Sequence, residues 1–557
     1  MVIRITKHHI GAEIISILTR GMYPDPRDAL REYVQNGVDA DANNIDIRIR
    51  GSSIVVIDDG YGMDQEVMKD AVRVGISDKD PSADVGFRGI GIYSAFHLCD
   101  RLNIYSKVKG KRPCVLMFDF KSMRETLSRQ RLERMNGRIT GRQLIDLQSI
   151  LQDNIDIGEL KEEEFPKGGT RVEMVGLDSS FFISLSRFDE VADYLRQVVP
   201  LHFDREGFKY GERIEDNIHQ ICQENNAVFR VVDLDLQVDA KEAKLYRPYT
   251  DELFHDSAAL PPVFKEIKSK KDFFGVAWGC LNEARRKIAD TKLRGFLLTK
   301  QGFALGKRAD MARHFGKRTT YFDRYVGEII VVDQQLLPNA ARTDFEVSPQ
   351  RTSFYEALAG VAAQYNARAD KHQEYTLGDE QLNSAIERIH ELESSIVFNY
   401  EKTEQLLDCL VEVRTIRQEV DGRINRGSFR QSRIDDANKV VRSAKAIEKD
   451  IQNFIESSKE KANRKKKDKK TPEEESRERR TKLPKKTATN ATEKPTESLV
   501  EVFESIDITL PAEVRKALEI IDERFVQAWA ANKSDYLLLL KELKEEIEQS
   551  VLGQELQ

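Results

Sequence analysis

Three short blocks near the start of the chain carry side chains that could act together on a nucleotide. They are REYVQNGVDA at residues 31–40, VVIDDGYGM at residues 55–63 and GFRGIGIYSAF at residues 86–96. A carboxylate, an amide, an aspartate ahead of Gly-x-Gly and a glycine-rich turn are the groups needed to hold ATP with a magnesium ion and to activate a water molecule against it. The blocks therefore predict one nucleotide site built from three pieces.

Glu32 and Asn36 stand four residues apart in a segment, residues 28–38, that the sequence predicts to be helical. Side chains at this spacing share one face of a helix. Glu32 could polarise a water molecule, and Asn36 could supply an amide oxygen to magnesium. In isolation the two residues would be interpreted as half of a solvated Arg-Glu pair and a capping Asn, and the neighbouring blocks favour the chemical interpretation.

The second and third blocks combine one carboxylate with backbone that can approach a ligand closely. Asp58 ends a predicted strand and could accept a hydrogen bond from the exocyclic amine of a planar base, while Gly60 and Gly62 let the backbone approach that base. The glycines of residues 86–91 precede a predicted helix start, where backbone N–H groups can face a phosphate. Each pattern alone is common in turns, and their order together predicts the site.

The elements that must position these residues alternate between helix and strand. Runs of β-branched residues predict strands at residues 45–49 and 54–57, on either side of a short turn. A polar stretch at residues 121–164 is predicted to be an insertion outside this layer, and residues 168–174 are predicted to form a further strand. This alternation predicts an α/β layer with mixed connections.

These blocks resemble the GHKL ATPase superfamily, which includes gyrase, the ninety-kilodalton heat-shock chaperones, histidine kinases and MutL. The resemblance covers about residues 10–175. It implies an α+β fold class with a Bergerat-fold sandwich, in which helices cover one face of a mixed sheet, and it implies ATP and Mg2+ as ligands. The P-loop pattern Gly-x-x-x-x-Gly-Lys-Ser/Thr does not occur in the sequence, in keeping with this assignment.

The resemblance also implies a role for each candidate residue. Glu32 would be the general base, Asn36 the magnesium ligand and Asp58 the residue that reads adenine. Gly62 would be the close-approach glycine beside the base, and Thr170 would support a water network on the adenine side. Glycines of the third block would line the phosphates.

The short polar segment before the third block, residues 72–85, would form a lid over the nucleotide. Lys79 within it would reach a phosphate when the lid closes, or would simply be solvated. The remaining positions expected to contact the nucleotide are Gly60, Met63, Gly86, Gly89, Ile90 and Gly91.

A cation for the terminal phosphate is expected from a second domain. LLPNAARTDF at residues 336–345 resembles the middle-domain loop by which the heat-shock chaperones reach ATP, so Arg342 is one candidate, since a guanidinium can clamp a phosphate. Without the first domain, Arg342 would be expected to pair with Asp344 or Glu346. Lys300 is the rival, because MutL and gyrase use a lysine from an equivalent loop.

Pattern and composition divide the 557 residues into five parts. We expect an ATP-binding domain at 1–185 with an insertion at about 121–165, an α/β transducer domain at 186–370, a helical coiled-coil or bundle region at 371–457, a disordered charged linker at 458–497 and a C-terminal helical module at 498–557.

Composition sets limits on partners and location. The net charge of -6 excludes an argument for nucleic-acid binding from overall balance, although the linker at 459–497 is locally basic and could touch DNA. Five cysteines without a C-x-x-C pair predict a reduced intracellular setting without structural zinc. No stretch is long and apolar enough for a signal peptide or membrane span, so we expect a cytoplasmic protein that does not bind membranes.

The resemblance implies a slow ATPase that works as a homodimeric clamp, and it leaves three roles open. Residues 89–107 and 336–345 resemble the chaperones and favour the remodelling of protein clients. The short spacer between the first two blocks resembles MutL, and residues 75–79 resemble MORC ATPases. Together with the basic linker, they favour a DNA-associated clamp. The third role is an ATP-sensing scaffold that regulates a partner enzyme.

Overall fold

A computed structural model of the protein describes residues 10–76, 89–165, 168–254, 259–316, 319–398 and 403–467. The chain divides into two compact units, Met1–Asn453 and Phe454–Gln557. The second unit is described only over residues 454–467, which continue a helix. The predicted C-terminal helical module and most of the predicted linker therefore lie outside the described residues.

Helices and strands alternate through the first part of the chain. In chain order they are α1 (Glu13–Met22), α2 (Asp28–Asp39), β1 (Asn44–Arg50), β2 (Ser53–Asp58), α3 (Gln65–Ala71), β3 (Cys99–Lys107), β4 (Cys114–Asp119), α4 (Phe120–Met135), α5 (Leu147–Asn154), β5 (Ile155–Glu159), β6 (Gly169–Leu177), α6 (Ser179–Leu185), α7 (Phe188–Val198), α8 (Gly211–Glu224), β7 (Asp233–Val238) and β8 (Lys241–Leu245).

The strands among these described residues form one mixed sheet of eight, in the order β5-β4-β3-β6-β2-β1-β7-β8. The pair β1 and β7 is parallel, whereas the other neighbours are antiparallel. Burial alternates along β1, where Ile45, Ile47 and Ile49 point into the core, as expected for a sheet with one covered face. The α+β class predicted from the sequence is confirmed.

The first sheet extends beyond the segment that we expected for the first domain. The hairpin β7–β8 lies within residues 186–370, yet β7 pairs with β1 from Asn44 opposite Asp233 onward. Leu234, Leu236 and Val238 bury their side chains in the first core, which explains why this hairpin joins the first sheet. Residues 228–231, just before this hairpin, lie outside any strand, and Val232 forms an isolated bridge with Leu201.

A second sheet follows. Its elements are β9 (Val263–Lys268), β10 (Phe273–Leu281), β11 (Gly295–Lys300), β12 (Phe303–Ala304), α9 (Arg308–Met311), α10 (Thr319–Phe322) and β13 (Tyr325–Val331). The order is β12-β11-β13-β10-β9, with β11 and β13 parallel. Every residue of β13 is buried, because one face of the sheet packs against one hydrophobic cluster and the opposite face against another.

Three long helices complete the described chain: α11 (Pro349–Phe398), α12 (Thr403–Arg426) and α13 (Ile434–Lys467). The predicted helical region is confirmed, but it begins earlier than residue 371. Pro349 suits the first position of a helix, and Phe354 and Leu358 pack into the core of the second sheet. Helix α13 also continues into the first residues of the predicted linker. None of the described helices has both the length and the apolar character needed to cross a membrane.

Candidate functional site

Helix α2 positions Glu32 at the meeting point of the first and third sequence blocks. The side chain is only 4% exposed. A Cβ atom added to Gly91, the first residue of a 3-10 turn at Gly91–Ala95, would lie 2.7 Å from Glu32 Oε2. The glycine therefore leaves the space that the carboxylate occupies. The expected helix start in the third block is formed as this short turn and not as an α-helix.

Arg342 approaches the same carboxylate from the second domain. Its Nη2 atom lies 2.5 Å from Glu32 Oε1. Its Nη1 atom is buried and has no hydrogen-bond partner within the described residues. A phosphate beside Glu32 would supply the acceptor that this donor needs. The two candidates, separated by about three hundred residues of sequence, are thus brought into direct contact.

The loop that carries Arg342 is held by its own hydrogen bonds. The backbone N–H of Arg342 donates to Asn339 O at 3.0 Å, and the backbone N–H of Gly306 donates to Arg342 O at 2.9 Å. Arg342 has φ of 52°, a left-handed conformation that is unusual for a residue with a side chain. The backbone is therefore fixed in the conformation from which the guanidinium reaches Glu32.

Arg342 pairs with Glu32 and not with Asp344, one of the two local partners expected for it. Asp344 is instead paired with Arg351, whose Nη2 lies 2.6 Å from Asp344 Oδ2, and it accepts a hydrogen bond from Tyr355 Oη. Because these partners occupy the carboxylate, Asp344 does not compete for Arg342.

The rival cation, Lys300, ends β11 and is buried. Its ammonium group donates to the backbone carbonyl of Asp333. Burial lowers the pKa of Lys300 to about 8, with the nearby Asp333 carboxylate acting in the opposite direction. The two rival candidates thus have different partners, and the ion pair with Glu32 belongs to Arg342.

Asp58 ends β2 inside a cradle of glycines. A Cβ added to Gly37 of α2 would lie 3.1 Å from Asp58 Cβ, and one added to Gly169 of β6 would lie 2.1 Å from Asp58 O. The backbone N–H of Gly60 donates to Asp58 Oδ1 at 3.0 Å. Burial raises the pKa of Asp58 to about 6, which this hydrogen bond only partly offsets. A hydrogen-bond donor from a ligand would favour the ionised carboxylate.

Asp59, the next residue, stabilises the local backbone. It is exposed and accepts hydrogen bonds from Asn43 N at 2.8 Å, from Asn44 N at 2.9 Å and from Asn44 Nδ2 at 2.8 Å. These bonds fix the chain before β1. The doubled aspartate in the second block therefore contains one buried candidate ligand and one structural residue.

A hydroxyl group that the sequence did not single out joins the adenine-side candidates. Ser106, at the end of β3, is fully buried, and its Oγ atom lies 2.9 Å from Thr170 Oγ1. Ser106 Oγ also accepts from the backbone N–H of Met63 at 2.7 Å and donates to Gly169 O at 3.0 Å. Only the register that places Ser106 opposite Thr170 would have identified it.

Close backbone approaches explain two further glycines. Gly62 has φ of 75°, and a Cβ there would lie 2.3 Å from Lys107 O. Gly89 has φ of 65°, and a Cβ there would lie 2.3 Å from Ile76 O. Ile90 follows directly and precedes the 3-10 turn. Lys79 and Gly86 lie outside the described residues.

Asn36 lies one helical turn after Glu32 and is partly exposed. Within the described ranges, His, Cys, Asp and Glu side chains form no group of three or more that could hold a metal ion. An Mg2+ ion at Asn36 would therefore share its coordination with phosphate oxygens, which suits an ion that is usually bound by few protein ligands. A single amide oxygen at this position fits that role.

Comparison with known proteins agrees with this geometry. Residues 24–141 match a family model described as "Histidine kinase-, DNA gyrase B-, and HSP90-like ATPase". The matched range includes Glu32, Asn36, Asp58 and Gly91. This part of the chain is therefore similar to the GHKL-type ATPase domains, which supports ATP binding and hydrolysis. Thr170 and Arg342 lie beyond the matched range and join the site through the tertiary structure.

One curated relative adds a second similarity. The chain is 31% identical over 101 residues to a protein described as "Putative type II restriction enzyme HgiDII" from Herpetosiphon aurantiacus. The match covers 17% of this chain and 16% of that protein, so this chain spans about a sixth of the relative's length. The family match supports the GHKL assignment, and neither similarity decides among the branches of that superfamily.

Proposed function

We propose that this protein is an ATP-hydrolysing clamp in which the second domain completes the active site through Arg342. The observation that carries the proposal is the 2.5 Å contact between Arg342 Nη2 and Glu32 Oε1. In the proposed mechanism, the Glu32 carboxylate activates the attacking water. The Arg342 guanidinium beside it is close to the terminal phosphate, where negative charge develops during hydrolysis.

In this proposal each of the described site residues has its own role in ATP binding or hydrolysis. Glu32 orients the attacking water and accepts its proton, while Arg342 stabilises negative charge on the transferred phosphoryl group. Asp58 accepts a hydrogen bond from the adenine amine, and the Ser106–Thr170 pair fixes the backbone beside it. Mg2+ bound with the help of Asn36 would neutralise charge on the phosphates. Turnover is slow, because closure of the clamp limits it.

For the role of the clamp we favour chaperone-like remodelling of protein clients by a homodimer. The support is the loop at residues 336–345, which resembles the chaperones and supplies the cation at Glu32. The prediction is that the ATP-bound protein suppresses aggregation of an unfolded client without retaining DNA.

The second candidate is a DNA-associated clamp, favoured by the curated relative, whose printed name is that of a putative type II restriction enzyme. The short spacer between the first two blocks and the basic linker agree with it. Salt-dependent retention of duplex DNA that is lost on deletion of residues 468–497 would favour this role, and the deletion leaves the described part of α13 intact. Nucleotide-dependent dimerisation with negligible turnover would favour a regulatory scaffold instead.

The experiment for hydrolysis uses variants at both ends of the ion pair. Glu32→Gln should abolish phosphate release, by about a hundredfold or more, while ATP binding persists. Arg342→Lys should also lose turnover, because an ammonium group lacks the planar fork of the guanidinium. Glu66→Gln is the control, since Glu66 lies on the exposed surface of α3. Unchanged turnover in Glu32→Gln would refute the assigned base.

A further inference from the structure

A buried polar network lies in the second domain, away from the candidate nucleotide contacts. It consists of Arg247, Tyr249, Arg308 and Glu328, and each side chain is at most 6% exposed. Arg308 Nη2 donates to Tyr249 Oη at 2.6 Å, and Tyr249 Oη donates to Glu328 Oε1 at 2.8 Å. Arg247 Nη1 pairs with the same carboxylate. One guanidinium thus pairs with the Glu328 carboxylate directly, and the second, that of Arg308, is linked to it through the Tyr249 hydroxyl.

Stability alone does not explain why these charged groups are buried. Removing charged groups from water is costly, and well-packed apolar residues often stabilise a core as well as a buried ion pair does. Directional bonds, in contrast, fix the positions of the elements that carry them. The network is therefore best understood from the elements that it holds.

Arg308 ties the segment before it to the second sheet. Its Nη1 atom donates to Gly295 O and to Gly327 O, both at 2.9 Å. Gly295 begins β11 and Gly327 lies within β13, so the guanidinium bridges two neighbouring strands. The start of α9 is fixed by these bonds and by Tyr249.

The fixed segment contacts the loop of Arg342. The backbone N–H of Gly306, two residues before Arg308, donates to Arg342 O at 2.9 Å. Gly306 has φ of 63°, and a Cβ there would lie 2.6 Å from Thr343 O. The chain at Gly306 and the loop therefore pack in direct backbone contact.

The same segment also contacts the helix of Glu32. Arg31 Nη2 donates to Ala304 O at 2.5 Å. Arg31 precedes Glu32 in α2, so residues 304–308 touch both the helix that carries the base and the loop that carries the cation. A shift of this segment would change the distance between the two charged groups.

We propose that Arg308, held by Tyr249, which donates in turn to Glu328, is a positioning residue for Arg342. It acts through the backbone contact between Gly306 and Arg342 and does not touch the nucleotide. The inference rests on the proposed function for its effect on turnover. Its effect on the loop is independent of that function, because it concerns only the backbone of residues 336–345.

The test removes one hydroxyl group with Tyr249→Phe, which leaves the buried ring in place. Tyr365→Phe is the matched control, because Tyr365 is also buried in the second domain and its hydroxyl hydrogen is shared between Val263 O at 2.8 Å and Ala277 O at 3.0 Å. In Tyr249→Phe we expect kcat to fall about tenfold with KM for ATP unchanged, since only the alignment at the reacting groups is altered. The control should lose similar thermal stability and keep kcat.

Hydrogen exchange of the backbone amides supplies a readout that needs no turnover. Residues 336–345 should exchange faster in Tyr249→Phe than in Tyr365→Phe, and Arg308→Lys should reproduce the effect because it keeps the charge and loses the bridge between strands. Equal exchange in Tyr249→Phe and the control would overturn the inference. Absence of ATP turnover in the parent protein would overturn the proposed function alone.

Discussion

Asp58 and Asp59 are adjacent in the sequence and have opposite environments. Asp58 is buried, and burial raises its pKa to about 6. Partial burial opposes ionisation of Asp59 as well, but hydrogen bonds from Asn44 and Asn43 outweigh that effect and lower its pKa. A carboxylate with a pKa of about 6 can change its ionisation when a ligand binds, whereas a carboxylate that already accepts several hydrogen bonds stabilises the fold.

This difference predicts a pH dependence of stability. The pKa of Asp58 is raised above its ordinary value of 3.8, so the native state binds a proton that the unfolded chain releases between about pH 4 and pH 6. Its contribution to the free energy of unfolding therefore falls as pH rises through this window. Urea unfolding at several pH values should show that Asp58→Asn removes this slope and that Asp59→Asn keeps it. The same slope in both variants would contradict the assignment.

A second prediction concerns Gly91. A methyl group there would meet Glu32 Oε2 at 2.7 Å, so the carboxylate of Gly91→Ala must rotate away from its place beside Arg342. Phosphate release should fall at least tenfold, since the carboxylate of Glu32 is displaced from its position beside Arg342. Gly21→Ala is the control, because no atom lies within 4 Å of the added methyl group. Equal turnover in the two variants would be inconsistent with this geometry.

The helices differ in how closely other elements pack against them, and α11 contains one glycine in close contact and one glycine facing open space. A Cβ at Gly378 would lie 2.4 Å from Ser428 O, whereas one at Gly360 meets nothing within 4 Å. Ser428 lies between α12 and α13, and its Oγ also donates to Glu374. The turn between these helices is therefore seated directly on α11.

Two glycine-to-alanine substitutions in this helix should therefore change the free energy of unfolding in opposite directions. Gly360→Ala should raise the free energy of unfolding by about 1 kcal/mol, because alanine restricts the unfolded chain and favours helix. Gly378→Ala should lower it by about 1–3 kcal/mol, because the turn must move away from the added methyl group. Chemical denaturation of both variants measures the difference. A stabilised Gly378→Ala protein would argue against this contact.

At the scale of the whole first unit, the hairpin between β11 and β12 joins the two sheets. Phe303 of β12 is buried in the core of the first sheet, although its strand belongs to the second. A Cβ at Gly302 would lie 2.5 Å from Pro200 Cβ, so the hairpin tip also contacts the chain after α7. This insertion fixes the second sheet relative to Glu32.

Phe303→Leu should therefore loosen the junction. We expect a loss of about 1–3 kcal/mol in the free energy of unfolding and a lower kcat with ATP affinity retained, because Asp58 and its neighbours remain in place. Phe274→Leu is the control, since Phe274 is equally buried within the second domain core. If the two variants lose kcat equally at matched stability, the junction has no special role in turnover.

The local patterns of the sequence were sufficient to predict the alternating helices and strands of the first domain and the long C-terminal helices, and the resemblance to the GHKL superfamily implied the α+β class. Glu32 and Asn36 could be placed on one helix from their spacing, and Asp58 at a strand end from the glycines after it. These features depend on neighbours a few residues away, so periodicity and turn chemistry specify them.

The tertiary structure decided which distant groups meet. Ser106 and Thr170 are 64 residues apart, and Arg31 and Ala304 are 273 apart, so no local pattern specifies either contact. The pairing of Arg342 with Glu32 in place of Asp344 likewise requires the loop, the hairpin and α2 to be packed together. The sequence by itself indicated the candidate nucleotide-binding residues of the first domain. Packing of the second sheet against this domain determined which cation pairs with Glu32, because strand register and core burial are set only when the whole chain folds.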